Sequence, residues 1–223
     1  MPFLNPISII AILIALSIHE WAHAIVATKL GDPTPGDAGR LTVNPIAHLD
    51  PLGAILFLTV GFGWAKPVPI NPSYFRHHKR DVLLTAIAGP ASNLILAFLA
   101  TIGIAILGHS ASTSVWTLLQ PDGTGPVWQS FLLQLFGASI FINLGLMAFN
   151  LLPIAPLDGS KVLEAFIPLR LEYRYSEFMR IGPYILLGLF AGEMILGLPL
   201  LSFWITTIME WALGGMQMIV GIF

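Results

Sequence analysis

His19, Glu20 and His23 stand within one short run, His19-Glu20-Trp21-Ala22-His23. On a helix, residues four apart leave the same face, one turn above the other. Two imidazole nitrogens at that spacing can meet one zinc ion, with Glu20 beside them as a general base for hydrolysis. A polar patch packed against another helix would also account for so short a pattern. The surroundings weigh against it. Phe3 to Thr28 is otherwise apolar, and long enough to cross a bilayer core of about 30 Å at 1.5 Å per residue. A charged side chain at the centre of such a helix costs roughly 2.5–3.5 kcal/mol on insertion scales. Three ionisable groups so close together therefore call for a function.

Two histidines leave a catalytic zinc site one protein ligand short. The chain contains no cysteine, so the missing ligand is a histidine or a carboxylate. Asp158 is the candidate, placed after the apolar stretch Phe131 to Leu152 and the break Pro153-Ile154-Ala155-Pro156. Broken backbone at membrane depth is tolerated where it is buried in protein or lines a wet cavity. An N-cap for a helix starting at Ser160 is the competing role for this aspartate. Asn150 carries an amide suited to a developing oxyanion, or equally to an interhelical hydrogen bond.

These residues need a membrane scaffold, and the composition provides one. Of 223 residues 56% are hydrophobic and 10% charged, with a mean hydropathy of +0.81, more apolar surface than a water-soluble domain of this length could hide. The net charge of −2 leaves no basic face for nucleic acid. The expected fold is an all-α polytopic membrane protein forming a single domain over residues 1–223. Five spans are expected: Phe3 to Thr28, Val82 to Leu107, Phe131 to Leu152, Ile181 to Leu198 and Leu200 to Ile222. The catalytic core then occupies about 4–165 and a C-terminal helix pair about 181–222. The apolar run Ala54 to Phe62 is too short to cross as a helix. It is read as re-entrant, between extended pieces at Leu41 to Val43 and Val68 to Ile70. With that reading all ten Lys and Arg residues fall on one side, which the positive-inside rule makes cytoplasmic. The multi-pass chain then sits in the cell membrane with its metal motif near the cytoplasmic face.

The sequence resembles the site-2 protease family of intramembrane zinc metalloproteases. The likeness rests on His19-Glu20-Trp21-Ala22-His23 together with Asn150-Leu151-Leu152-Pro153-Ile154-Ala155-Pro156-Leu157-Asp158-Gly159. Further similarity lies in Leu41 to Gly53, Gly63 to Pro72 and Gly89 to Asn93, so that it covers roughly Ile14 to Val162. The resemblance implies His19, His23 and Asp158 as ligands of one Zn2+, Glu20 as catalytic base and Asn150 as a transition-state contact. It also implies single-span membrane proteins as substrates, in a minimal member without PDZ or CBS domain.

Other polar residues have simpler readings. Asn93 and Asn143 fit interhelical hydrogen bonds, with Asn93 also a candidate for substrate contact. His48 and Asp50 suit a turn anchored by side chains more than an outer shell of the metal site. His77 and His78, among Arg76, Lys79 and Arg80, suit a headgroup-facing cluster. Glu210 receives no role. A substrate helix must unwind before cleavage, because its carbonyls are sheltered by its own hydrogen bonds. Leu41 to Val43, with Thr42 at its centre, is the expected docking edge for the opened strand. The competing function is a zinc or proton transporter using the same His/Asp site. It would want polar residues in both halves of the membrane, whereas these are confined to one.

Overall fold

Three Asn-Pro steps start three helical pieces in the same way. Asn5, Asn44 and Asn71 each accept a hydrogen bond from the backbone N–H two residues on, at 3.0–3.1 Å. The proline that follows takes the first helical position, where a missing amide costs nothing. The computed structural model describes residues 5–60, 63–107 and 126–221. Its helices are α1 (Pro6–Lys29), α2 (Thr34–Asp37), α3 (Pro45–His48), α4 (Pro51–Val60), α5 (His78–Ile106), α6 (Val127–Asn150), α7 (Asp158–Phe166), α8 (Glu172–Arg180), α9 (Gly182–Leu196) and α10 (Leu200–Val220).

Helices α1, α5 and α6 pack against one another, and these three are long and apolar enough to cross a membrane. The chain is thus a multi-pass membrane protein. α1 buries Ser8, Ala11, Ala15, Ser17, Ala22, Ala24 and Ala27 along with its two histidines, while Ile10 and Ile14 stay exposed. Lipid is as apolar as leucine, so helices in it associate through small side chains that let the backbones approach. Larger residues fill the space between α5, α6 and α10, where Ile104, Ile140, Leu144, Met147 and Met216 form the main apolar cluster.

The expected count of five spans is not what the helices give. α9 has 15 residues, about 22 Å, and is bent by 48° from the helical stretch before it. α10 has 21 residues, but Glu210 and Gln217 dilute its apolar character, and Ile222 lies outside the described residues. The stretch 108–130 between the second and third expected spans also falls largely outside them.

The piece between α1 and α5 differs from the expected β-hairpin. Among the described residues there is no strand, only an isolated antiparallel bridge between Leu49 and Ala65. Leu41 to Val43 is bent because local bonds hold it: His48 Nε2 meets Thr42 O at 2.7 Å and Asn44 N–H donates to Thr42 Oγ1 at 3.1 Å. Such side-chain bonds compete with strand pairing. His48 is thus a turn anchor. Of the apolar run Ala54 to Phe62, residues 54–60 are described. α4 is ten residues long, roughly 15 Å or half the hydrocarbon core, and by Ala65 the chain is back beside Leu49. Gly53 permits the return, since a Cβ there would lie 2.2 Å from Trp64 O.

Lys66 N–H donates to His48 O at 2.8 Å, which makes Leu49 and Ala65 a non-hydrogen-bonded pair. Cα atoms in such pairs lie about 4.5 Å apart, within disulfide range. A Leu49→Cys/Ala65→Cys double variant is expected to cross-link on mild oxidation, measured as loss of maleimide-reactive thiol from a chain with no native cysteine. Both thiols remaining fully reactive would mean that the segment does not turn back.

Candidate metal centre

His19 and His23 leave α1 on its buried face and meet Asp158, the first residue of α7. The two Nε2 atoms are 3.1 Å apart, and Asp158 Oδ2 lies 3.0 Å from His23 Nε2 and 3.3 Å from His19 Nε2. All three residues are buried. Asp158 does not cap its helix: Leu157 holds the cap position and no side chain closes it.

The proton positions follow from fixed acceptors. His23 Nδ1 faces the backbone carbonyl of Thr85 at 2.7 Å, so Nδ1 is the donor. His19 Nδ1 lies 2.6 Å from Asn93 Oδ1. Asn93 Nδ2 donates to Asn143 Oδ1 at 2.8 Å, and Asn143 Nδ2 donates to Ser139 O at 2.8 Å. The Ser139 carbonyl can only accept, so it sets the direction of the whole chain and leaves His19 Nδ1–H as donor. In the neutral rings both Nε2 atoms therefore carry lone pairs, pointed at each other and at a carboxylate oxygen. Three acceptors cannot sit 3.0–3.3 Å apart at rest without a positive charge among them. Donors around a tetrahedral zinc with bonds of about 2.0–2.1 Å are roughly 3.3–3.4 Å apart. The residues fit that ion.

Close backbone approach makes this possible. A Cβ on Gly89 would lie 2.3 Å from His23 Nε2 and 2.7 Å from His19 Nε2, in the space between the ligands. A Cβ on Gly159 would lie 2.4 Å from the carbonyls of Leu151 and Leu152, so only glycine lets α7 start tight against the end of α6. Lys161 Nζ lies 3.8 Å from Asp158 Oδ1, the oxygen turned away from the histidines.

Glu20 is half-buried, and its Oε2 accepts the Val68 N–H at 3.0 Å. Val68 belongs to the extended segment that follows Ala65, kept from helix by Pro67 and Pro69. Its amide is therefore committed and is no free edge for a docking strand. Thr42, the expected docking residue, is tied into the His48 turn. Asn93, a candidate for substrate contact, is fully buried behind His19 and so belongs to the ligand's support. Asn150 donates Nδ2 to Leu146 O in its own helix at 3.0 Å and makes no bond to the His/Asp cluster. Sequence reasoning gave Thr85 and Gly89 no place in the site and read Val68 to Ile70 only as an extended piece near it. Thr85 and Val68 act through backbone atoms, which carry no sequence signal. Gly89, set before Pro90 inside an apolar helix, was the one visible clue.

A carboxylate, two imidazoles and a neighbouring glutamate in a membrane helix bundle define a membrane metalloprotease class. Residues 51–190 match the model of peptidase family M50, and the chain belongs to this family, that of the site-2 proteases. Three relatives each carry the name putative zinc metalloprotease. YwhC of Bacillus subtilis is 41% identical over 84% of this chain and 81% of its own length. Rip2 of Mycolicibacterium smegmatis is 31% identical over 68% and 54% respectively. MJ0611 of Methanocaldococcus jannaschii is 31% identical over 71% and 69%. No solved structure matches the chain. Zinc is accordingly its cofactor.

Gly89→Val is expected to abolish zinc retention while the helical circular dichroism is kept, because the new methyl groups fill the space between the ligands. Asn93→Ala is expected to weaken zinc affinity about 10–100-fold, the usual cost of removing a ligand's outer partner. Chelator competition followed by elemental analysis measures both. Wild-type affinity in either variant would contradict this geometry.

Proposed function

We propose that the chain is an intramembrane zinc endopeptidase that cuts single-span membrane proteins, in the manner of regulated intramembrane proteolysis. The observation that carries this reading is the convergence of three lone-pair donors beside Glu20 at the end of a membrane helix. In it His19, His23 and Asp158 hold the metal. Zinc, when bound, supplies Lewis acidity that acidifies water and polarises a carbonyl. Glu20 takes the proton of the attacking water on its carboxylate and returns it to the leaving amine nitrogen. The Val68 N–H on Oε2 keeps that carboxylate aimed and leaves Oε1 for the water. Asn150 would need to exchange its bond to Leu146 O for one to the oxyanion.

Substrate access is supported by an apolar groove of about 550 Å³ between α1 and α6, beneath the returning segment. Leu13 and Leu16 line one wall, Gly145 and Phe149 the other, and Trp64 closes one end. A groove open to lipid suits a hydrophobic helix better than a water-soluble peptide. The basic residues of the loops favour a cytoplasmic placing of the active-site end. His23 lies six residues before Lys29, the end of α1, or about 9 Å along the helix axis.

Glu20→Gln separates the roles. In proteoliposomes with a single-span substrate, the variant is expected to keep one zinc per chain and to lose cleavage by at least about 10²-fold, the usual scale of general acid–base catalysis. Undiminished cleavage would remove Glu20 from the chemistry. Loss of zinc together with activity would make it a ligand instead.

A further inference from the structure

Beside His23 lies a second pocket, of about 180 Å³. Val68, Ile70 and Phe75 form its outer wall, Val82 and Ala86 on the first turns of α5 its inner wall, and Lys161 stands at its edge. His23 itself forms part of the lining. Val68 joins this pocket to the base, because its N–H is bonded to Glu20 at 3.0 Å while its buried side chain helps to line the cavity. One lining residue is thus a metal ligand and another is bonded to the general base.

We propose that this pocket receives one apolar side chain of the substrate, from a residue next to the scissile bond, and selects for its size. The proposal rests on the protease reading above. In an extended strand successive side chains point to opposite sides, so of the two residues flanking the cut, one faces this wall. A cavity of roughly 150 Å³ is enough to hold benzene, and the volume here accordingly admits Leu, Met or Phe. Gly and Ala leave it unfilled. His23, Thr85 and Lys161 stand among the apolar side chains of the lining. An acidic side chain still gains no free cation there, because Lys161 is already 3.8 Å from Asp158 Oδ1, and the apolar part of the wall disfavours its charge. The pocket thus sets a preference at one position of a substrate whose remaining residues lie in the lipid-facing groove.

The test uses the zinc-loaded full chain in proteoliposomes and one single-span substrate whose cut site has been mapped. Gly, Leu, Phe and Glu are placed in turn at each residue flanking the cut, and kcat/KM is measured for wild type, Val82→Phe and Ile70→Phe. The readout is the Leu-to-Gly ratio, which does not depend on how much of a variant is correctly folded. At one flanking position the wild-type ratio is expected to be at least tenfold, with Glu no better than Gly. Either variant fills the pocket from one wall and is expected to bring the ratio to within about twofold of unity. A flat wild-type profile at both positions, a preference for Glu, or a ratio unchanged in both variants would overturn the proposal. Absence of cleavage of every substrate by zinc-loaded wild type would overturn the protease reading, and this proposal with it.

Discussion

Three acceptors held against one another in a low-dielectric interior form the constraint around which this bundle is arranged. His19 Nε2, His23 Nε2 and Asp158 Oδ2 lie 3.0–3.3 Å apart, a spacing that only a shared cation makes favourable. Holding it requires that neither ring turn and that no side chain intrude. Asn93 and the Thr85 carbonyl stop the rings from turning, and both come from α5. Gly89, on the same helix, supplies the empty space. α6 contributes through Asn143 and through the tight exit at Gly159 that delivers Asp158. Each of the three packed helices therefore has a share in one site, and the small residues between them let the shares meet.

The extended segment after Ala65 links this site to the membrane surface. Three of its amides are committed: Lys66 N–H to His48 O at 2.8 Å, Val68 N–H to Glu20 at 3.0 Å and Asn71 N–H to Asp32 at 2.7 Å. Asp32 is fully buried and also accepts from Thr34, which fixes the turn after α1. The alternating prolines leave few amides in this stretch, and these three fasten it across the end of α1. It contributes Trp64 to the apolar groove and Val68 to the smaller pocket, so its position bears on what reaches Glu20.

Much of the site was legible in the sequence because ionisable side chains are expensive in an apolar helix. The spacing of His19 and His23 and the placing of Asp158 after a proline-broken span could be read directly from the residues. The three long helices were legible from hydropathy. The remainder depended on tertiary contacts. Leu41 to Val43 has the composition of a strand, yet the buried His48 ring bends it by taking the Thr42 carbonyl. Three described helices qualify as spans, or four if the stretch bent by 48° that ends in α9 counts as one, so the two C-terminal spans expected from apolar length are not confirmed. Asn93 looked the same as any membrane asparagine until its partner, His19 Nδ1, was known.

The proposed chemistry requires one zinc bound by two imidazole nitrogens and a carboxylate oxygen. X-ray absorption at the zinc edge of the purified, zinc-loaded protein measures that shell directly. Nitrogen and oxygen scatterers are expected at about 2.0–2.2 Å, with an outer-shell pattern that fits two imidazole rings. A shell of oxygen alone, or one that fits a single imidazole, would contradict this ligand set.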